Sequence, residues 1–276
     1  MIVFPFAKIN LGLNVIRMRE DGYREIGSVL VPIPLYDILE VILKPPGERT
    51  LKRTGIPVPG PVAGDLVWRA ADLLDPDRQW GLEVHLHKLV PIGAGLGGGS
   101  SDGSHMLLAL DRLFERRTSA SRLHQAASAL GSDCPFFLRR EPCLASGRGE
   151  DLEPIDLDLS PYSLLLIAPD IHISTASAYA GTPLSGRSSD LRAILSEPVE
   201  NWRHHLRNDM EDYAFRAHPE LAKIKDQLYA AGAIYASMSG SGSAMYGLFR
   251  SAPPDGGPWS DMRHWVLPLG HIWSRS

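Results

Sequence analysis

With 276 residues, 44% of them hydrophobic, the chain holds enough apolar material for one large domain or two modest ones, which excludes general disorder. A formal charge of −4 leaves no basic footprint and argues against nucleic acid as a partner. Cys134 and Cys143 alone are no secreted disulfide framework, so reduced thiols and a cytoplasmic location are expected.

The opening stretch MIVFPFAKINLGLNV has no basic segment ahead of its apolar residues and meets Lys8 and Asn10 early. Neither a signal peptide nor, further along, a membrane span is expected. From Ala7 to Val15 apolar Ile9, Leu11, Leu13 and Val15 alternate with Lys8, Asn10, Gly12 and Asn14, the pattern of a half-buried strand with one polar face. Strands are also predicted at Ser28 to Ile33, Asp37 to Leu43 and Leu82 to His87, with a helix at Asp65 to Leu74 and a Pro/Gly-rich loop at Gly55 to Gly64. Lysine occupies only positions 8, 44, 52, 88, 223 and 225, so a lysine inside a motif is more informative than usual.

Helical spacing of Met106, Leu107, Leu110, Leu113 and Phe114 predicts a helix over Ser101 to Phe114, with Asp102 in its first turn. A second helix is predicted at Ser121 to Leu130, stopping at Gly131. Cys143 to Ile155 is ambiguous, whereas Ser163 to Ala168 reads as a buried strand. Helices over Asn208 to Arg216 and Pro219 to Ala231 are followed by strand-like segments flanking SGSGS at Ser239 to Ser243. The interleaving implies a mixed α/β or α+β enzyme of two domains, residues 1–152 and 153–276, divided near Glu153.

The run from Pro91 to Asp102, PIGAGLGGGSSD, places five glycines within seven positions between a strand and a helix. Glycine lets the backbone approach a ligand closely and turn several amides toward one anion, and a helix N-terminus adds further unsatisfied N–H groups. Gly93, Gly95 and Gly98 match the spelling of a dinucleotide fingerprint, but the position about twenty residues on falls in a helix. Gly93 to Ser100 approaches a Walker loop, with Gly99 where its lysine should stand. A serine-capped flexible turn is the plain structural alternative.

PIGAGLGGGSSD resembles the phosphate loop of the GHMP kinases. AKINLGLNV, DGYREI and GSDCPFF at Gly131 to Phe137 are similar to segments of one branch, the 4-diphosphocytidyl-2-C-methyl-D-erythritol kinases, from Ala7 to about Phe249. The resemblance implies an N-terminal ATP-binding domain of ribosomal-protein-S5-like fold, a C-terminal substrate domain and an active site in the cleft between them. It implies phosphorylation of the 2-hydroxyl of a cytidine diphosphate ester by ATP with Mg²⁺, in non-mevalonate isoprenoid synthesis. Lys8 and Asp133 take the catalytic positions, and Pro91, Gly93, Gly95, Leu96, Gly97, Gly98, Gly99, Ser100 and Ser101 form the phosphate loop. Ser100 or Ser101 is the candidate magnesium ligand, no dedicated acidic ligand being evident.

For the substrate, the resemblance implies stacking of Tyr23 on cytosine, with Asn10, Thr175 and Tyr179 nearby and close backbone approach at Gly240 and Gly242 of SGSGS. Arg24 departs from the histidine usual in the family. On residue type alone, Asp133 serves equally well as a helix cap before Pro135, Lys8 as a solvated strand residue and Tyr23 as a surface aromatic. His85 with His87, and His204 with His205, lack a third ligand for zinc. A GHMP kinase for another small alcohol and a nucleotide-binding regulator without turnover are the competing functions. A monomer and a homodimer are equally compatible with the sequence.

Overall fold

The computed structural model describes residues 1–115, 118–186, 189–254 and 256–271. They form two compact units, each gathered from separate stretches of chain. The first takes Met1–Ala7, Leu35–Ile92 and Gly97–Arg140; the second takes Lys8–Pro34, Gly93–Leu96 and the described residues from Glu141 onward. Glu153 lies in a strand of the second unit.

In the first unit a four-stranded sheet runs in the order β1 (Ile2–Val3), β4 (Ile38–Lys44), β6 (Gly81–Lys88), β5 (Arg49–Gly55). β4 pairs antiparallel and β5 parallel with β6. Helices α1 (Leu66–Leu74), α2 (Gly98–Leu113) and α3 (Ala120–Leu130) join the sheet around one core of Val41, Leu82, Val84, Leu86, Met106, Leu107, Leu110 and their neighbours. Asp65 starts α1 as its N-cap, accepting a hydrogen bond from the Val67 amide. α3 ends at Gly131 as expected, but with φ of 172°, extended backbone open to any residue, so the stop owes nothing to glycine's left-handed freedom.

The second unit contains the sheet β2 (Phe6–Met18), β3 (Arg24–Tyr36), β7 (Cys143–Ser146), β8 (Asp151–Pro154), whose last two strands resolve the ambiguous segment before Ile155. A further sheet runs β10 (Tyr235–Met238), β11 (Met245–Phe249), β9 (Ser163–Ala168), β12 (Arg263–Pro268), with every described pairing antiparallel. α7 (Glu211–Ala217) and α8 (Pro219–Ala230) supply Ala214, Leu221, Ile224 and Leu228 to its core. Short helices α4 (Thr175–Gly181), α5 (Leu191–Ser196) and α6 (Val199–His205) fill a stretch where apolar periodicity is too brief to announce them.

Two expectations require correction. β2 is buried on both faces: Lys8 and Asn10 are each only 4% exposed and Asn14 6%, because their polar groups find partners inside the protein. α2 begins at Gly98 and not at Ser101, so Asp102 is its fifth residue; no acidic residue stands in the first turn, and Asp102 is buried.

Candidate active site

The glycine-rich run divides between the units. In the first unit, Pro91 is buried behind the loop and Gly97 adopts φ of 70° as the N-cap of α2, a left-handed conformation that favours glycine. Helix geometry leaves the first amides, those of Gly98, Gly99 and Ser100, without intrahelical acceptors, and the Ser101 amide already donates to the Gly97 carbonyl at 2.9 Å. No side chain caps this end. A Cβ built on Gly99 would meet nothing within 4 Å, so the helix end is uncapped and open above Gly99. Such an end suits an anion, through its N–H groups and its dipole.

The same unit carries Asp133. It precedes the 3-10 turn Cys134–Leu138, in which Pro135 stands near the start, but its side chain makes no capping hydrogen bond, so the cap reading fails. The Ser104 hydroxyl of α2 donates to the Cys134 carbonyl at 2.7 Å and so fastens this turn to α2. Burial pushes the Cys134 thiol up to about 11 against the opposing hydroxyls of Ser100 and Ser104, which leaves it protonated and inert. His105, one turn beyond Ser101, donates through Nδ1 to the Ser101 carbonyl at 2.9 Å and packs edge-on against Phe6.

Beside α2 opens a pocket of about 410 Å³, walled by Val58, Pro61, Leu66, Leu86 and Ile92 and reaching Gly99, Lys88 and Asp102. Its size and apolar walls are those of a small-ligand site. Among the described residues, the buried side-chain polar atoms without a hydrogen-bond partner are Arg53 Nη1, Asp65 Oδ2 and Asp102 Oδ1, and all three residues line this pocket. Arg53 Nη1 and Asp65 Oδ2 face each other as an ion pair at 3.5 Å, which leaves Asp102 Oδ1 as the unmatched atom; buried polar groups are normally paired, so it suits a ligand that brings a donor. Arg53 and Asp65 went unnoticed in the sequence because nothing local distinguishes them.

In the second unit, Gly93 and Gly95 have φ of 67° and 79°. A Cβ on Gly95 would lie 1.9 Å from the Ser239 carbonyl oxygen, and the Ser239 hydroxyl donates to the Gly95 carbonyl at 2.8 Å. The Ala244 amide donates to the Ala94 carbonyl, and the Lys8 amide to the carbonyl of buried Leu96 at 3.0 Å. The first half of the run is therefore packed against SGSGS and β2.

Lys8 Nζ donates to Asn10 Oδ1 at 2.5 Å, and Asn10 Nδ2 donates to the Ser28 hydroxyl, which in turn donates to the Gly12 carbonyl. A Cβ on Gly240, whose φ is 56°, would come within 3.3 Å of Lys8 Nζ, Asn10 Oδ1 and the Gly95 carbonyl, so four expected site residues converge here. Gly242, with φ of 89°, is hemmed in by Met238. Asn208, overlooked in the sequence, holds the turn by donating through Nδ2 to the Met238 and Gly240 carbonyls.

Tyr23 is 57% exposed and has the Arg148 guanidinium 4.9 Å above its ring. Arg24 donates to the Thr182 carbonyl at 2.5 Å, tying the tyrosine's segment to the end of α4. Thr175, at the start of α4, lies 3.3 Å from the Ser241 hydroxyl, whereas Tyr179 on the same helix packs partly into the core. No cluster of three or more His, Cys, Asp or Glu suited to a metal occurs among the described residues. No helix among them is long and apolar enough to cross a membrane.

Comparison with known proteins gives this geometry its context. The pattern of the GHMP kinases N terminal domain matches residues 65–141, and that of the GHMP kinases C terminal domain matches residues 190–255. The chain is 47% identical over 252 residues to the 4-diphosphocytidyl-2-C-methyl-D-erythritol kinase of Azobacteroides pseudotrichonymphae, covering 91% of this chain and 94% of that one. It is 44% identical to the enzyme of the same name from Parabacteroides distasonis, covering 90% and 92%. A crystal structure of 4-(cytidine 5'-diphospho)-2C-methyl-D-erythritol kinase superposes with a TM-score of 0.78 at 32% identity, covering 97% of this chain and 98% of that one. An uncapped glycine-opened helix, a mixed α/β fold and this degree of identity along nearly the whole length lead to one conclusion: the chain belongs to the GHMP kinases.

Proposed function

We propose that this kinase transfers the terminal phosphate of ATP to the 2-hydroxyl of 4-diphosphocytidyl-2-C-methyl-D-erythritol, as a cytoplasmic enzyme of non-mevalonate isoprenoid synthesis. The observation that carries the reading is the open N-terminus of α2, fastened through Ser104 to the turn that Asp133 heads. The names of the relatives support the substrate.

Phosphoryl transfer needs in-line placement, charge neutralisation and a destination for the hydroxyl proton. The amides of Gly98, Gly99 and Ser100 bind the polyphosphate, and the pocket beside α2 takes the adenosine. Asp133 orients the acceptor hydroxyl and receives its proton, while Lys8, set by Asn10, stabilises charge on the transferred group. A magnesium ion accompanying the nucleotide would supply charge neutralisation at the phosphates. Of the two serines, Ser100 is partly exposed in the first turn and would be the one to hold such an ion, Ser101 being fully buried beside His105.

Tyr23 offers one ring face to cytosine, Arg148 covering the other, and Arg24 holds the tyrosine's segment where the family histidine would stand. Mass spectrometry after incubation with ATP tests the assignment. The expected product is the substrate plus one phosphate, and preferential phosphorylation of another alcohol from a panel would refute the proposed substrate. Tyr23→Ala is expected to raise KM for the cytidine ester by about 10- to 100-fold, as loss of one stacking contact would, with KM for ATP unchanged; equal effects on both would refute base stacking.

A further inference from the structure

Lys88 is the last residue of β6, just ahead of the glycine-rich run, and is only 2% exposed. Its ammonium group donates to Asp37 Oδ2 and, at 2.6 Å, to Asp102 Oδ2. Asp37 is fully buried, and its other oxygen accepts the backbone amides of Leu89 at 2.6 Å and Val90 at 2.9 Å. Asp37 thus grips the chain where it leaves the sheet toward the loop. Asp102 lies in α2, on the far side of the loop, and a Cβ added to Gly98 would come 3.3 Å from Lys88 Nζ. One lysine therefore links the segment entering the loop to the helix that leaves it.

The charges in this cluster do not match, because two buried carboxylates share a single cation. Asp37 accepts from three donors. Asp102 has Lys88 on one oxygen, while the other is buried without a partner and its residue lines the pocket. Burial raises its pKa well above the ordinary range against the pull of Lys88, and the charge of Asp37 raises it further. Burial would by itself lower the pKa of Lys88, but the two acids outweigh it and keep the ammonium charged.

We propose that Lys88 is a positioning residue for nucleotide binding, which holds the open amides of α2 in place by joining Asp37 to Asp102. It touches no reacting atom. Its role is to keep the two ends of the loop at a fixed separation, so that the helix start is preformed before ligand arrives. The proposal rests on the nucleotide reading above and extends it to Asp37 and Lys88, which neither the glycine motif nor the expected catalytic pair includes.

Calorimetric titration with ADP and hydrogen exchange of the ligand-free chain test it. Lys88→Met is expected to weaken ADP binding at least 10-fold and to speed exchange over residues 89–101, with kcat at saturating ATP within about threefold of native. Native affinity and native exchange in Lys88→Met would overturn the proposal. Should Lys88→Met fail to fold, the charge-free triple variant Asp37→Asn, Lys88→Met, Asp102→Asn decides by the same two measurements. Failure of both to fold would assign the cluster to core stability and equally overturn the proposal. A native chain that binds no ADP would count against the nucleotide reading instead, leaving hydrogen exchange to judge the clamp.

Discussion

The two halves of PIGAGLGGGSSD contrast more than their shared glycines suggest. Gly95 is locked in place: its conformation is left-handed, and the space a side chain would take is already held by the Ser239 carbonyl. Gly99 is helical and faces open space. One glycine is needed for how the protein packs upon itself; the other meets nothing of the protein above it. A density of glycine in sequence therefore signals close approach without saying whether the approaching partner is the protein's own backbone or a ligand.

The sharpest way to break the contrast is to disable chemistry on the open side without touching the packed one. Asp133→Asn is expected to lower kcat about 10²- to 10⁴-fold, the range for losing a general base, with thermal stability and KM for ATP near native. A variant of near-native turnover would remove Asp133 from catalysis, and the same measurement on Lys8→Ala judges the lysine. Next comes Gly95→Ala, which combines a positive φ with a backbone clash and is expected to destabilise by about 3 kcal/mol in denaturant melts. An unchanged midpoint would mean that the loop and the SGSGS turn are not packed together as described.

A pH series sharpens the comparison at His105, behind the open half. Burial lowers its pKa from 6.5 to about 4, so the folded protein keeps it neutral where the unfolded chain would already take a proton. The associated stability is complete above the unfolded value of 6.5 and is lost as pH falls toward 4, up to about 3 kcal/mol. His105→Asn, which can still donate to the Ser101 carbonyl, is expected to flatten that part of the stability curve. An identical acid slope would assign it to other groups. The smallest effect is expected from Gly99→Ala. It should leave stability unchanged or raise it by up to about 1 kcal/mol, the helix preference of alanine over glycine. It should also raise KM for ATP a few-fold, and a falling melting temperature would contradict the open space above Gly99.

Where short-range pattern governs, the sequence was legible. β9 occupies Ser163–Ala168, the bounds expected of it, and α8 and β6 fall within a residue or two of expectation. The glycine-rich run stands out in the sequence because its residues are consecutive. Lys88 could not: its partners stand 51 and 14 positions away, and only the folded sheet and helix bring them together. Asn208 is similar, reaching 30 and 32 residues forward to hold the SGSGS turn. β2 misled for a related reason. Alternation separates its two faces but does not say that the polar face will be covered too, and Lys8 and Asn10 are buried by partners such as Ser28 and Tyr246, the latter donating to the Asn10 carbonyl from 236 residues away. β5 carries Arg49, Lys52 and Arg53, a composition that hides a sheet edge, paired among the described residues with β6.

The threading of the chain carries a genetic consequence. Because residues 8–34 and 93–96 are lent to the second unit while the stretches around them build the first, no one break in the gene yields a self-sufficient product. A fragment halted after Arg140 would keep β3 yet forfeit β7, the strand that pairs with Ser28 to Leu30, and so bare a sticky margin. Recombination cannot trade one body for another cassette-fashion, and new acceptor specificities in such a lineage have to accumulate by substitution within an undivided reading frame.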